Sequence, residues 1–234
     1  MISKLLSLQG YKILNFGIID IESHPAATGF YFEDYEIKIL EQETLWGRIK
    51  RDIIWNLFVW LPGFNKYVVS DDTLSANKQN FSLFFSELKK ESKIPRLVIG
   101  HLVMPHRPFH FDRNGNQRTL SENDFKDAVH DSLYIDQLVY TNTWIDSLAQ
   151  AANRKHSRPL ILIIAGDHGN RYSTLGLASR EKQFMNLNAY FFSDKNYSTL
   201  YNNISPVNSF RIVLNKYFKS GLPLLKDSTI RFKD

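Results

Sequence analysis

The chain has 234 residues, 43% hydrophobic and 14% aromatic, which suits a globular protein with one sizeable core and argues against a disordered chain. Its 29 Lys and Arg against 24 Asp and Glu give a formal charge of +5 with no Lys/Arg run longer than two, so a nucleic-acid-binding stripe is not supported, whereas a basic pocket for anions is compatible. There is no cysteine, which excludes disulfides, thiolate metal sites and thiol nucleophiles and leaves the compartment open.

From the N-terminus, "ISKLLSLQG" reads as a helix closing at Gly10, and "YKILNFGIID" follows as a strand. The opening residues carry one lysine and a broken apolar run, which is not the pattern of a signal peptide. Residues 41–61 read as an amphipathic helix stopped by Pro62-Gly63. Within it, "IIWNLFVWL" is the longest apolar tract but only about half of a bilayer span. It is expected to be buried or covered by a partner, with a helix resting on a membrane as the minority alternative. Residues 79–91 have helical spacing, and "PRLVIGHLVMPH" is a short strand that opens into a loop at Met104-Pro105. A loop with a turn at Arg113-Asn114-Gly115-Asn116 leads to a long helix over about 121–153, where Leu133, Leu138, Ile145 and Leu148 mark the apolar face. A strand at 160–165, a strand in "NAYFFS" and a helix opening after Ser205-Pro206 complete the chain. Helices and strands in this rhythm predict an α/β sandwich with a mostly parallel sheet, as a single domain over 1–234.

In open α/β sheets ligands sit outside the carboxyl ends of the strands, and two strands here end in polar clusters. One runs into "GHLVMPHRPFHFD", with His101, His106, His110 and Asp112; the other runs into "GDHG", with Asp167 and His168. Neighbours inside a strand point to opposite faces. At a strand's exit, where Gly166 and Gly169 permit a turn, an acid and an imidazole can converge on one ion. Such oxygen-plus-nitrogen ligation suits zinc or manganese, and a carboxylate-rich version suits magnesium or calcium. The competing structural roles are an Asp bonded to local backbone beside an exposed His, and a His106 packed on Pro105 and Pro108. His110 and Asp112 spell the start of an iron-oxygenase facial triad, but that triad needs a jelly-roll, which the α/β rhythm contradicts. His24, His130 and His156 read as surface residues, and Tyr134 to Gln137 as core packing plus a solvated face, with Asp136 on it.

"ILIIAGDHGNR" resembles the metal-binding segment of the sulfatase-like hydrolases and transferases of the alkaline phosphatase superfamily. "GHLVMPHRPFHFDRNGN", "YIDQLVYTNTWID", "EKQFMNLNAYFF" and "ISPVNSFRIVLNKYF" are similar to successive blocks of a membrane-associated bacterial subgroup, so the resemblance covers residues 95–219. It implies a three-layer α/β/α sandwich and metal-dependent hydrolysis or transfer of phosphate or sulfate esters through a covalent intermediate. It also implies Asp167 and His168 as metal ligands to Mn, Zn, Mg or Ca, and His101 and His106 as catalytic residues lining the pocket. Arg107 and Arg171 flank the clusters and suit bidentate contact with the oxyanion of the ester substrate.

The chain departs from the family at its N-terminal side. The nucleophile and an early acidic ligand would precede the "GYKILNFGIID" strand, and neither Ser3 nor Ser7 stands in that context. Asp20 and Glu22 end the strand but match no motif. The expectation is thus a sulfatase-like domain lacking its N-terminal nucleophile segment and with little turnover by itself. The alternative is a non-catalytic module of that fold, binding an anionic ligand or a partner protein. Full-length relatives imply an N-terminal membrane segment and the outer face of the inner membrane, though nothing in this chain directs it there.

Overall fold

The computed structural model describes residues 2–21, 23–27, 44–49, 72–119, 127–169 and 182–229. Glu22, Arg171, most of the 41–61 helix with its "IIWNLFVWL" tract, and residues 121–126 therefore lie outside the described residues. The chain is mixed α/β and clusters into two compact units, Met1–Met104 and Pro105–Asp234.

In the first unit, α1 (Ile2–Leu8) is closed by Gly10, whose φ of +81° suits a residue without Cβ, and the Tyr11 N–H returns to the Leu6 carbonyl. The chain leaves that cap as β1 (Lys12–Phe16). The short helix α2 (Leu45–Arg48) and the long helix α3 (Asp72–Lys89) precede β2 (Arg96–Gly100). β1 and β2 pair in parallel from Lys12↔Arg96 to Phe16↔Gly100, so both strands exit at the same end. Parallel neighbours need a crossover, and α3 supplies it, lying against both strands. It begins earlier than the spacing at 79–91 predicts. Its first turns bury Leu74 and Ala76 together with Asn77 and Asn80, and the two amides disguise the apolar face.

The second unit holds α4 (Asp127–Ala152), β3 (Ile161–Ala165), β4 (Asn188–Phe192) and α5 (Pro206–Phe218). β3 and β4 pair antiparallel, from Ile161↔Phe192 to Ala165↔Asn188, where a mostly parallel sheet was expected. A run as apolar as "ILIIA" signals burial but not the direction of its neighbour. The core of this unit includes Leu162, Phe192, Ile212 and Val213. α5 starts at Ser205-Pro206 as its sequence predicts, because proline at N1 lacks only an N–H that has no helical partner. It ties to β4 where the Tyr190 hydroxyl meets Ser209 Oγ at 2.7 Å. Among the described residues no helix is long and apolar enough to cross a membrane.

Candidate functional site

At the exit of β3 the backbone is braced from both sides. The Gly166 N–H donates to the Leu187 carbonyl (2.9 Å), and the Asn186 side chain donates to the Gly166 carbonyl (2.7 Å). Three residues on, the Gly169 N–H donates to the Gln183 carbonyl (2.8 Å). A Cβ on Gly169 would lie 1.9 Å from the Lys182 carbonyl oxygen, so only glycine fits where these backbones meet.

Asp167 and His168 occupy this turn. The His168 N–H donates to Asp167 Oδ1 (3.0 Å), and its ring Nδ1 lies 2.6 Å from the Gly169 carbonyl oxygen. A carbonyl can only accept, so Nδ1 carries the hydrogen and a neutral ring keeps its lone pair on Nε2. That nitrogen is 3.6 Å from Asp167 Oδ2. Two ligands at tetrahedral zinc distances stand about 3.3–3.4 Å apart, so the pair needs little adjustment to share an ion. Metal-binding histidines commonly donate their other N–H to a carbonyl, as this one does to Gly169. The ring is 23% exposed and held, while the carboxylate is 87% exposed and open to ligands from solvent. The donor chemistry fits a divalent ion as two of its ligands. Among the described residues, no group of three or more His, Cys, Asp or Glu could complete such a site.

His106 stands in the same unit on a loop held by α4. Gln137, completely buried, donates through Nε2 to the carbonyls of His106 (2.9 Å) and Pro108 (3.4 Å), and its Oε1 accepts the Phe111 N–H (3.3 Å). Phe111 packs its ring against Tyr140 and Trp144 of the same helix, with centroids 4.8 and 6.4 Å apart. Beyond it, Asp112 accepts the N–H groups of Asn114 and Asn116, which forms the turn its sequence predicts. His110 is buried, with its carbonyl accepting the Arg118 N–H (2.8 Å). The loop is thus anchored at His110 and Phe111, and His106 remains exposed. The His106 ring repeats the arrangement of His168, with Nδ1 donating to the next residue's carbonyl, here Arg107, at 2.5 Å. Arg107 is half-buried.

His101 belongs to the first unit, just past β2, exposed at the strand exit. Its N–H donates to the Phe16 carbonyl (3.3 Å) and its carbonyl accepts from Asn80 (3.2 Å). Close by, Asn77 Oδ1 accepts the Val103 N–H (2.7 Å). Four residues past β1 the Asp20 carboxylate accepts the Ala26 N–H (2.8 Å) and so serves a local turn. Ser3 is buried in α1. Four site residues therefore stand in one unit (His106, Arg107, Asp167 and His168), His101 stands in the other, and Arg171 is not described.

Sequence reasoning missed the carboxamides. Gln137 falls in a stripe with Thr141, Trp144 and Leu148, all buried on α4, and of these four the sequence reading places only Leu148 on the apolar face, because Gln137 and Thr141 are polar. The available signal was spacing alone: positions 137, 141, 144 and 148 repeat every three or four residues. His156, read as a surface residue, caps α4 by donating from Nε2 to the carbonyls of Ala151 and Ala152 (3.2 and 3.1 Å).

No protein-family model, no curated protein and no solved structure matches this chain.

Proposed function

We propose that the chain is a sulfatase-like domain of the alkaline phosphatase superfamily, built on a three-layer α/β/α sandwich, that binds a divalent metal through Asp167 and His168 and acts on phosphate or sulfate esters. One observation carries this: the His168 ring is fixed by its Nδ1–H on the Gly169 carbonyl, so that Nε2 stands 3.6 Å from Asp167 Oδ2. A bound Zn, Mn, Mg or Ca ion would supply polarisation of the ester's non-bridging oxygens and a lowered pKa for an attacking hydroxyl. The chain's own residues do the rest. With its Nδ1–H held by the Arg107 carbonyl, His106 offers Nε2 as a base when neutral and, as the imidazolium, as a donor to the developing charge of a leaving oxygen, while Arg107 offers a planar guanidinium to the anion. Gln137 positions His106 by holding its carbonyl from beneath. No side chain is assigned as nucleophile, so turnover by this chain alone is expected to be weak.

The second reading is a non-catalytic module of the same fold that binds an anionic ligand or partner. It is favoured by a site with two donors among the described residues, since two ligands hold a metal weakly. Zinc and manganese titrations by calorimetry, alongside hydrolysis of an aryl phosphate, a phosphodiester and an aryl sulfate, separate the two. Metal binding that falls in Asp167→Ala, with measurable ester turnover, supports the hydrolase or transferase; metal binding without turnover supports the module. Absence of metal binding in the folded wild type would overturn the assignment of Asp167 and His168 as metal ligands and leave only the non-catalytic module.

A further inference from the structure

At the opposite end of β3 from Asp167 and His168, a five-residue strand away or about 17 Å, the chain reads Arg154-Lys155-His156-Ser157-Arg158. His156 folds this segment back over the end of α4 through its bonds to the Ala151 and Ala152 carbonyls. The folded segment forms one wall of a cleft of about 450 Å³, and Ser193 and Asp194 form part of another. The base is tied by backbone: the Ser193 N–H donates to the Leu160 carbonyl and Ser193 Oγ accepts the Leu160 N–H, both at 2.9 Å.

Arg154, Lys155 and Arg158 are exposed around this cleft. The acid on the facing wall does not cancel them. Asp194 is already engaged by Lys216 at 3.1 Å, by the Tyr217 hydroxyl at 3.1 Å and by the Asn196 N–H at 3.0 Å. Lys195 adds a further cation near this rim, donating to Asn153 Oδ1 at 2.6 Å. Three cations line a concave opening whose one carboxylate among the described residues has its own partners, and two of the three are guanidinium groups, which favour the paired oxygens of a phosphate.

From this geometry we infer that the cleft formed by residues 154–159 and 193–194 binds a phosphate group, independently of the ester site assigned above. The phosphate belongs either to a soluble phosphate or pyrophosphate ester or to an anionic lipid headgroup; the recognising chemistry is the same. Calorimetric titration of the full chain with sodium pyrophosphate, in buffer containing EDTA to silence any metal-dependent site, tests it directly. Binding is expected to weaken about threefold or more between 50 and 200 mM NaCl. It is expected to weaken at least tenfold in R154Q/K155Q/R158Q. The double variant R154Q/K155Q, which keeps Arg158 and its contacts, is expected to lose affinity about threefold with an unchanged melting temperature. Flotation with phosphatidylglycerol vesicles identifies the source. Co-flotation competed by pyrophosphate assigns a lipid headgroup, and pyrophosphate binding without flotation assigns a soluble ligand. No binding in either assay, flotation that pyrophosphate does not compete, or pyrophosphate binding that persists unchanged in the folded triple variant would overturn the site.

Discussion

Past β2, one backbone bond from the His101 N–H to the Phe16 carbonyl is joined by two from side chains: Asn80 reaches the His101 carbonyl and Asn77 receives the Val103 N–H. Past β3, the backbone through Gly166 to Gly169 is held mainly by other backbone, with Leu187 and Gln183 supplying carbonyls and Asn186 the one side-chain brace. The first arrangement leaves the strand exit extended and places one imidazole at its edge. The second forces a tight turn in which an acid and an imidazole emerge side by side with an orbital direction fixed. A site that must aim two donors at one point is better served by backbone contacts, which have no rotamers to lose. The loop carrying His106 is intermediate, since one carboxamide grips three backbone groups at once.

The harshest way to break this contrast is at Gly169. Gly169→Ala drives a Cβ into backbone at 1.9 Å, and backbone cannot swing aside as a side chain can. A loss of about 3 kcal/mol is expected, a fall in melting temperature of roughly 6–12 °C by calorimetry. At Gly100, by contrast, the added Cβ meets the Phe84 ring at 2.7 Å, a side chain that can move, so Gly100→Ala is expected to cost less than Gly169→Ala. Similar losses at both positions would erase the distinction drawn between the exits.

Next comes Gln137→Leu, which keeps the bulk but strands the His106 carbonyl and the Phe111 N–H. A loss of about 2–3 kcal/mol is expected in urea melts, and Asn80→Ala, which removes the bond to the His101 carbonyl, is expected to cost at least about 1 kcal/mol. Because Gln137 positions His106, its variant is also expected to broaden the His106 ring resonance in NMR spectra, a change that Asn80→Ala does not produce. Asp167→Asn sharpens the comparison from the other side. Its carboxylate is 87% exposed, so stability changes by less than about 0.5 kcal/mol, while zinc or manganese affinity falls about tenfold or more.

The gentlest test concerns the tail after α5. Asp227 accepts bonds from the Ser205 hydroxyl, the Tyr201 hydroxyl and the Ser205 N–H, which hold its carboxyl well below the usual carboxylate range. A group depressed in the folded state contributes stability above its unfolded pKa, about 3.9 for Asp. That contribution is lost as pH falls through the lower folded value. The melting-temperature gap between wild type and Asp227→Asn should therefore be constant from pH 7 to about 5 and shrink below about pH 4. A gap that grew on acidification would show the carboxylate to be destabilising.

Much of the fold was legible because local rules agreed with it. Gly10 and Ser205-Pro206 marked helix ends where φ or a missing N–H demanded those residues, and "ILIIA" announced a strand, of which Leu162 is buried. Of the candidate site, Asp167 and His168 were legible because an acid and an imidazole between two glycines at a strand's end have few structural uses. The brace beneath His106 was not, because a glutamine on a helix looks solvated until its partners, 26 to 31 residues away, are known.

The order of helices and strands, the charge that admits anions and the chemical types at the two strand exits were fixed by the residues themselves, through propensity, periodicity and caps that act within a few positions. The antiparallel return of β4, the tautomer that turns His168 Nε2 toward Asp167 and the basic cleft beside Ser193 were decided only when distant backbone came together. Those features depend on which carbonyl meets which N–H, and no local pattern along the chain encodes that choice.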